Sequence, residues 1–245
     1  MDVVTEEAQA AFCRAVEAHL CRKNEGHLVR IVGPAFEQVC GWARRGVPLS
    51  IACLGIDRYV ERQQAKVARR RPVRVEFCEA DVLDAFDEWK RSVGVVEPGP
   101  GESVRADDAA TSTLASARRG GSLPTHLERT IARLSALRAG AGPAFAAAID
   151  AIVRELDAAR ADAKGLRGDA RQALLDRLRE LDGMLARAAA AQCGSEVLEE
   201  LRAGADGELA PYRGRLAPAA WDEARARSLE RLIRERLGLP VLAFE

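Results

Sequence analysis

The chain has 245 residues, room for one large domain or two small ones, and its 48% hydrophobic content is enough to bury a core. Lys plus Arg (37) equals Asp plus Glu (37), so the whole chain carries no field that would draw it to nucleic acid or acidic lipid. With aromatics at only 4% and Ala, Leu and Arg dominating, the composition argues against sheet and for an all-α fold.

Only Lys23, Lys66, Lys90 and Lys164 are lysines among the 37 cations, a skew toward arginine that a GC-rich, bacterial-type genome writes by codon bias. The acidic start Met1-Asp2-Val3-Val4-Thr5-Glu6-Glu7 lacks the basic region and apolar run of a signal peptide. No stretch approaches the roughly 18 apolar residues of a membrane span. The expected setting is therefore the cytoplasm, with the six cysteines (Cys13, Cys21, Cys40, Cys53, Cys78, Cys193) as reduced thiols and no membrane partner.

Residues 1–94 are expected to form a small helical domain with one basic face. Thr5 suits the cap of a helix whose buried stripe is Phe12, Val16, His19 and Leu20. Pro34 is placed as a first helical residue, followed by Phe36, Val39, Cys40 and Ala43 on one face until Gly46 stops the helix. Pro48 opens the next, with Leu49, Ala52, Cys53, Ile56 and Val60 inward, ending before Arg71-Pro72. Val73, Val75 and Phe77 alternate as a short extended piece would, and Val82, Phe86 and Trp89 define a fourth helix.

Residues 95–122 carry Pro, Gly, Ser and charge without periodicity. Such a composition buries too little surface to offset chain entropy, so a flexible linker is expected. Residues 123–245 are expected to form an antiparallel helical bundle. Thr125-His126-Leu127-Glu128 has the pattern of a capping box. Phe145, Ile149, Ile152, Leu156, Ala159 and Ala163 recur in steps of four and three, as do Leu174, Leu178, Leu181, Leu185 and Ala188 after the Gly165–Gly168 break. Two helices of about 20 residues joined by a glycine turn predict a hairpin with a coiled-coil-like seam, with Asp169 capping its second arm. Ser195 and Pro218 open the last two helices.

The sharpest local feature is a run of nine cations against two anions between Arg44 and Arg74. Arg58, Arg62, Lys66 and Arg70 are spaced by four, a stripe on one helical face that continues through Arg69, Arg71 and Arg74. A phosphate backbone wants such a row, because each contact releases counterions. The competing reading is a solvated face with Asp57 and Glu61 as local partners. A helix-turn-helix around Gly46 fits poorly: the position four before it, which must be small, is Trp42, and the buried position five before it is Gly41.

Trp42, Gly46-Val47-Pro48-Leu49, Gly55-Ile56-Asp57 and the stretch from Phe77-Cys78 to Trp89 are loosely similar to the small helical domains of DnaD-like primosomal proteins. The resemblance covers residues 36–91. The spacing from Val82-Leu83 to Trp89 departs from the family pattern, so no functional residue is carried over.

Cys13, His19, Cys21, His27, Cys40, Cys53 and Cys78 fall within 66 residues, yet no pair has the C-x-x-C spacing that places two thiolates on one metal. Three of these cysteines sit in apolar stripes, where they behave as small hydrophobes. No nucleophile elbow, Walker loop, dinucleotide fingerprint or H-E-x-x-H occurs. Acidic neighbours such as Asp84 with Glu88, and Glu199 with Glu200, read as exposed helical charges. No catalytic residue, metal ligand or cofactor is expected. The leading expectation is a non-enzymatic interaction or adaptor protein, binding a protein partner or itself through the C-terminal helices. The alternatives are a replication or regulatory factor holding nucleic acid on the Arg58–Arg74 stripe, and a metal- or thiol-dependent protein using the N-terminal cysteines.

Overall fold

The computed structural model describes residues 6–64, 72–95 and 122–244. These residues form nine α-helices and two single 3-10 turns, with no strand among them, so the all-α expectation holds. The expected linker falls almost wholly outside the described residues. No described helix is long and apolar enough to cross a membrane.

Packing divides the chain into two compact units, one of Met1–Glu97 with Ala203–Ser228, the other of Pro98–Arg202 with Leu229–Glu245. Residues 203–228, grouped by order with the C-terminal bundle, contribute Leu209, Tyr212 and Ala224 to the core of the first unit.

In unit 1, α1 (Glu6–Lys23), α2 (Pro34–Arg44), α3 (Leu49–Gln64) and α4 (Glu79–Val93) follow the four expected helices. In α3, however, the inward positions are Ile51, Ala52, Gly55, Ile56 and Val60, while Leu49, expected inward, is exposed at the first turn. Thr5, the expected cap of α1, lies outside the described residues. Val75–Phe77 is a 3-10 turn rather than an extended piece. The Cys78 N–H turns back to the Val75 carbonyl and leads directly into α4, so the alternation is too short to extend. In α4, acids in the first turn and bases in the last oppose the helix dipole, and Gly94 closes it in the left-handed region (φ 74°). α1 packs on α2 and α3, and α3 packs on α4. Gly55 makes the last crossing possible, since a Cβ there would lie 2.4 Å from the Val82 Cα.

The 203–228 segment supplies the end of α8 (Ser195–Leu209), a 3-10 turn at Ala210–Tyr212 and the start of α9 (Pro218–Leu237). Tyr212 packs against Trp89 (ring centroids 5.7 Å) and donates its hydroxyl to the Gly46 carbonyl at 3.3 Å. Gly46 serves twice: it ends α2 with φ 79°, and a Cβ on it would press within 3.2 Å of the Tyr212 hydroxyl oxygen. Beneath, the buried Glu208 carboxylate accepts from Ser50 Oγ (2.6 Å), Ser228 Oγ (2.9 Å) and Trp89 Nε1 (3.4 Å).

In unit 2, α5 (Leu123–Arg138) packs on α6 (Pro143–Asp162), and α6 on α7 (Gly168–Gln192). α5 starts two residues before Thr125, with Ser122 in the capping position and the Ser122 and Thr125 hydroxyls 2.9 Å apart. The fixed φ of Pro124 suits the first turn, which moves the start upstream of the capping-box pattern. α7 likewise begins at Gly168, leaving Asp169 as an acid of its first turn rather than its cap. The hairpin seam is as the spacing predicts: Ile149, Ile152, Leu156, Leu178, Leu181 and Leu185 are buried in one cluster with Leu127 and Leu134 of α5. Ile233, Leu239 and Leu242 complete that cluster.

Candidate interaction surfaces

The basic stripe is only partly described, and its described members are engaged. Arg62 forks onto Asp81 of α4 with both nitrogens (2.7 and 2.6 Å), and the Asp81 side chain is 9% exposed. Arg58 reaches Glu88 of α4 at 2.7 Å, and Arg74 reaches Glu76 at 2.7 Å. Arg62 and Arg58 therefore cross-link α3 to α4, the bidentate Arg–carboxylate fork being the stronger kind of pair. Glu88 is spent on Arg58, which removes it from any pairing with Asp84. Lys66, Arg69, Arg70 and Arg71 lie outside the described residues.

A second cluster ties α1 to α3. Asp57 accepts from His19 Nε2 at 2.7 Å and from Lys23 Nζ at 2.9 Å, while Arg22 stands 3.4 Å from His19 Nδ1. Both ring nitrogens face partners, which makes His19 a structural link and not a base poised for a substrate.

Cys13, Cys21, Cys40 and Cys53 lie in helices, and Cys78 and Cys193 flank helix ends. Burial pushes the Cys13 and Cys53 thiols up to about 11 and Cys78 to about 12, with Cys40 raised by the same cause. Nearby carboxylates, Glu17, Asp57 and Asp81 respectively for the first three, push the same way. The thiolate needed for nucleophilic attack or metal ligation is thus disfavoured at neutral pH. Among the described residues, no three of His, Cys, Asp and Glu converge as a metal site requires.

The segment joining α1 to α2 is different in kind. It lacks helical bonds but is fixed by α1: Ile31 N–H donates to Glu17 Oε2 (2.8 Å) and Val29 N–H to Cys21 Sγ (3.3 Å). The Asn24 side chain clamps Val73 at both its N–H (2.7 Å) and carbonyl (2.9 Å). Side chains alternate along it. Val29 and Ile31 turn into the core, and Leu28, Arg30 and Val32 turn out, with Leu28 79% and Val32 65% exposed. Phe77, 61% exposed, stands on the 3-10 turn that α2 packs against.

No family model, curated protein or solved structure matches the chain. The likeness of residues 36–91 to DnaD-like domains therefore carries no argument.

The leucine seam of α6 and α7 is buried within unit 2. What sequence reasoning missed is the outward ridge of the α1–α2 segment and the two carboxylates Glu208 and Asp182. The ridge had a signal, since Leu28-Val29-Arg30-Ile31-Val32 is a run with β-type alternation between a turn and a proline. The carboxylates had none, because their partners are 20 to 158 residues away.

Proposed function

We propose that this chain is a non-enzymatic cytoplasmic interaction protein, and that unit 1 engages a protein partner along Leu28, Arg30 and Val32. The observation that carries this reading is a pair of large aliphatic side chains held in solvent by an anchored backbone. Exposed aliphatics on a floppy loop mean little. On a segment pinned by Glu17, Cys21 and Asn24 they form a ridge that needs little ordering to bind. Arg30 between them favours a partner with apolar side chains flanked by acids. The chemistry-bearing side chains support a binding protein over an enzyme, because His19, Glu88 and Asp81 are committed to cross-links and Cys13 and Cys78 to the core.

The test is cross-linking capture in the native host with wild type and a Leu28→Ser, Val32→Ser double variant. Both positions are exposed, so each change should alter stability by no more than about 0.5 kcal/mol. Proteins retained by wild type should be lost from the variant. An unchanged set of captured proteins, with an unchanged melting curve, would overturn the reading.

The nucleic-acid alternative rests on the charge run Lys66-Arg69-Arg70-Arg71. Its test should leave Arg62 alone, since Arg62→Glu would set a carboxylate against Asp81 and disturb the α3–α4 crossing. A variant with Lys66, Arg69, Arg70 and Arg71 changed to Glu is titrated with salt against a labelled duplex and single strand. Wild-type binding that weakens steeply with salt and vanishes in the variant would favour this alternative. The thiol- or metal-dependent alternative is the least supported, and metal analysis of purified protein tests it.

A further inference from the structure

The segment between α1 and α2 alternates like a β-strand, yet no strand stands beside it among the described residues. Backbone bends close it at both ends. Glu25 (φ 59°) and Gly26 (φ 84°) pass through the left-handed region after α1, and Gly33 (φ 60°) does so again before Pro34 opens α2. Leu28–Val32 lies between these bends, about 16 Å of chain if fully extended.

One edge of this segment is used and the other is not. Toward α1, the Val29 N–H donates to Cys21 Sγ (3.3 Å), the Cys21 thiol donates to the Val29 carbonyl (3.6 Å), and the Ile31 N–H donates to Glu17 Oε2 (2.8 Å). In an alternating backbone the polar groups of successive residues point to opposite edges, so those of Leu28, Arg30 and Val32 face away from α1. None of the three backbone N–H or carbonyl groups makes a hydrogen bond among the described residues, and Arg30 has no carboxylate partner there. The side chains repeat this asymmetry, with Val29 and Ile31 packed on the core and Leu28 and Val32 strongly exposed on either side of Arg30. Exposed aliphatics alone would suit any apolar surface. Open backbone groups at every second residue suit an extended chain, which offers its own N–H and carbonyl groups at the same interval.

We propose that Leu28–Val32 takes an extended peptide segment of a protein partner by strand addition, the added segment carrying an acid opposite Arg30 and an apolar residue two places to either side. The proposal rests on the reading of Leu28, Arg30 and Val32 as a contact ridge, and names the form of the partner that lies on it. The two bends limit pairing to about five residues. The bonds to Cys21 and Glu17 hold the edge in place beforehand, so little chain entropy is lost on binding. The unpaired guanidinium selects the acid. It also works against a second copy of this chain as the occupant, since two such edges meeting antiparallel about their centres would set Arg30 against Arg30.

The experiment uses the full chain and a displayed library of random nine-residue peptides, with the strongest binders resynthesised and labelled. In the free protein, hydrogen exchange should be slow at the Val29 and Ile31 amides and fast at those of Arg30 and Val32. Slow exchange at Arg30 and Val32 before any peptide is added would show an edge already covered, and would overturn the proposal. Selected peptides should share an acid with apolar residues two places to either side, and their binding should slow exchange at Arg30 and Val32. Arg30→Glu should weaken that binding about tenfold, by setting like charges opposite each other. Val32→Pro removes one outward N–H while keeping an apolar side chain, and should weaken it about as much. Exchange on wild type carries the test should Val32→Pro not fold. Peptides that are lost from the Leu28→Ser, Val32→Ser variant but leave the Arg30 and Val32 amides exchanging fast would overturn strand addition and leave the ridge standing. A library yielding no peptide sensitive to that double variant would overturn both.

Discussion

The two units are built by opposite means. Unit 2 is an aliphatic seam in which Ile149, Ile152, Leu156, Leu178, Leu181 and Leu185 meet along neighbouring helices. Its buried positions recur at helical spacing along two neighbouring helices of the chain. Unit 1 is an aromatic core, Trp42, Phe86, Trp89 and Tyr212, closed by a segment that arrives more than a hundred residues later. Its polar groups meet singly, as Glu208 does with Ser50, Trp89 and Ser228. A repeated aliphatic pattern specifies its own partner, whereas an aromatic core needs a partner chosen by the whole fold.

All three tryptophans, Trp42, Trp89 and Trp221, belong to unit 1, so tryptophan fluorescence follows that unit while circular dichroism follows both. The comparison breaks most visibly at Tyr212. Tyr212→Ala removes a fully enclosed ring against Trp89 and should destabilise unit 1 by about 3–5 kcal/mol, although the residue lies in the C-terminal half. Its fluorescence transition should shift strongly. If only the dichroism transition moved, the assignment of 203–228 to unit 1 would be wrong.

Leu181→Ala makes the reciprocal cut, with an expected cost of about 2–5 kcal/mol confined to unit 2. A chemical-denaturation curve should shift by dichroism while fluorescence stays in place. Equal shifts by both probes would mean that the units unfold as one.

The thiols sharpen the comparison further. Cys13, Cys40, Cys53 and Cys78 all belong to unit 1, and burial holds them above the ordinary 9.0, to about 11, 11 and 12 for Cys13, Cys53 and Cys78. The unfolded chain therefore sheds these protons first. Their contribution to stability is fully present below about pH 9 and is lost as pH rises through 11 and 12. Fluorescence-detected stability should fall over that alkaline window more steeply in wild type than in a Cys53→Ala, Cys78→Ala variant. At neutral pH, Cys13, Cys40 and Cys78 should react with a thiol reagent only as fast as unit 1 opens.

The smallest effect is expected at the surface. Arg58→Ala breaks a pair with Glu88 whose side chains are 39 and 50% exposed, and should cost about 1 kcal/mol or less. A loss several times larger would mean that Arg58 is as structural as Arg62.

The sequence by itself determined the all-α class, the apolar faces of six helices apart from Leu49, and the leucine hairpin, because 3.6-residue periodicity and glycine or proline stops are local properties of the chain. It located α2 at Pro34 and α9 at Pro218 for the same reason. It also singled out Arg58 and Arg62 in a basic row, but not that they would pair with Glu88 and Asp81, since those carboxylates belong to another helix. Only the tertiary structure decided that residues 203–228 close the N-terminal core, that Glu208 is buried under three donors, and that Asp182 and His126 grip Leu242. Each of these joins residues far apart in the chain through a few hydrogen bonds or ring contacts, without a repeat to announce it. Periodicity reports which side of a helix is buried; what it is buried against is fixed by packing.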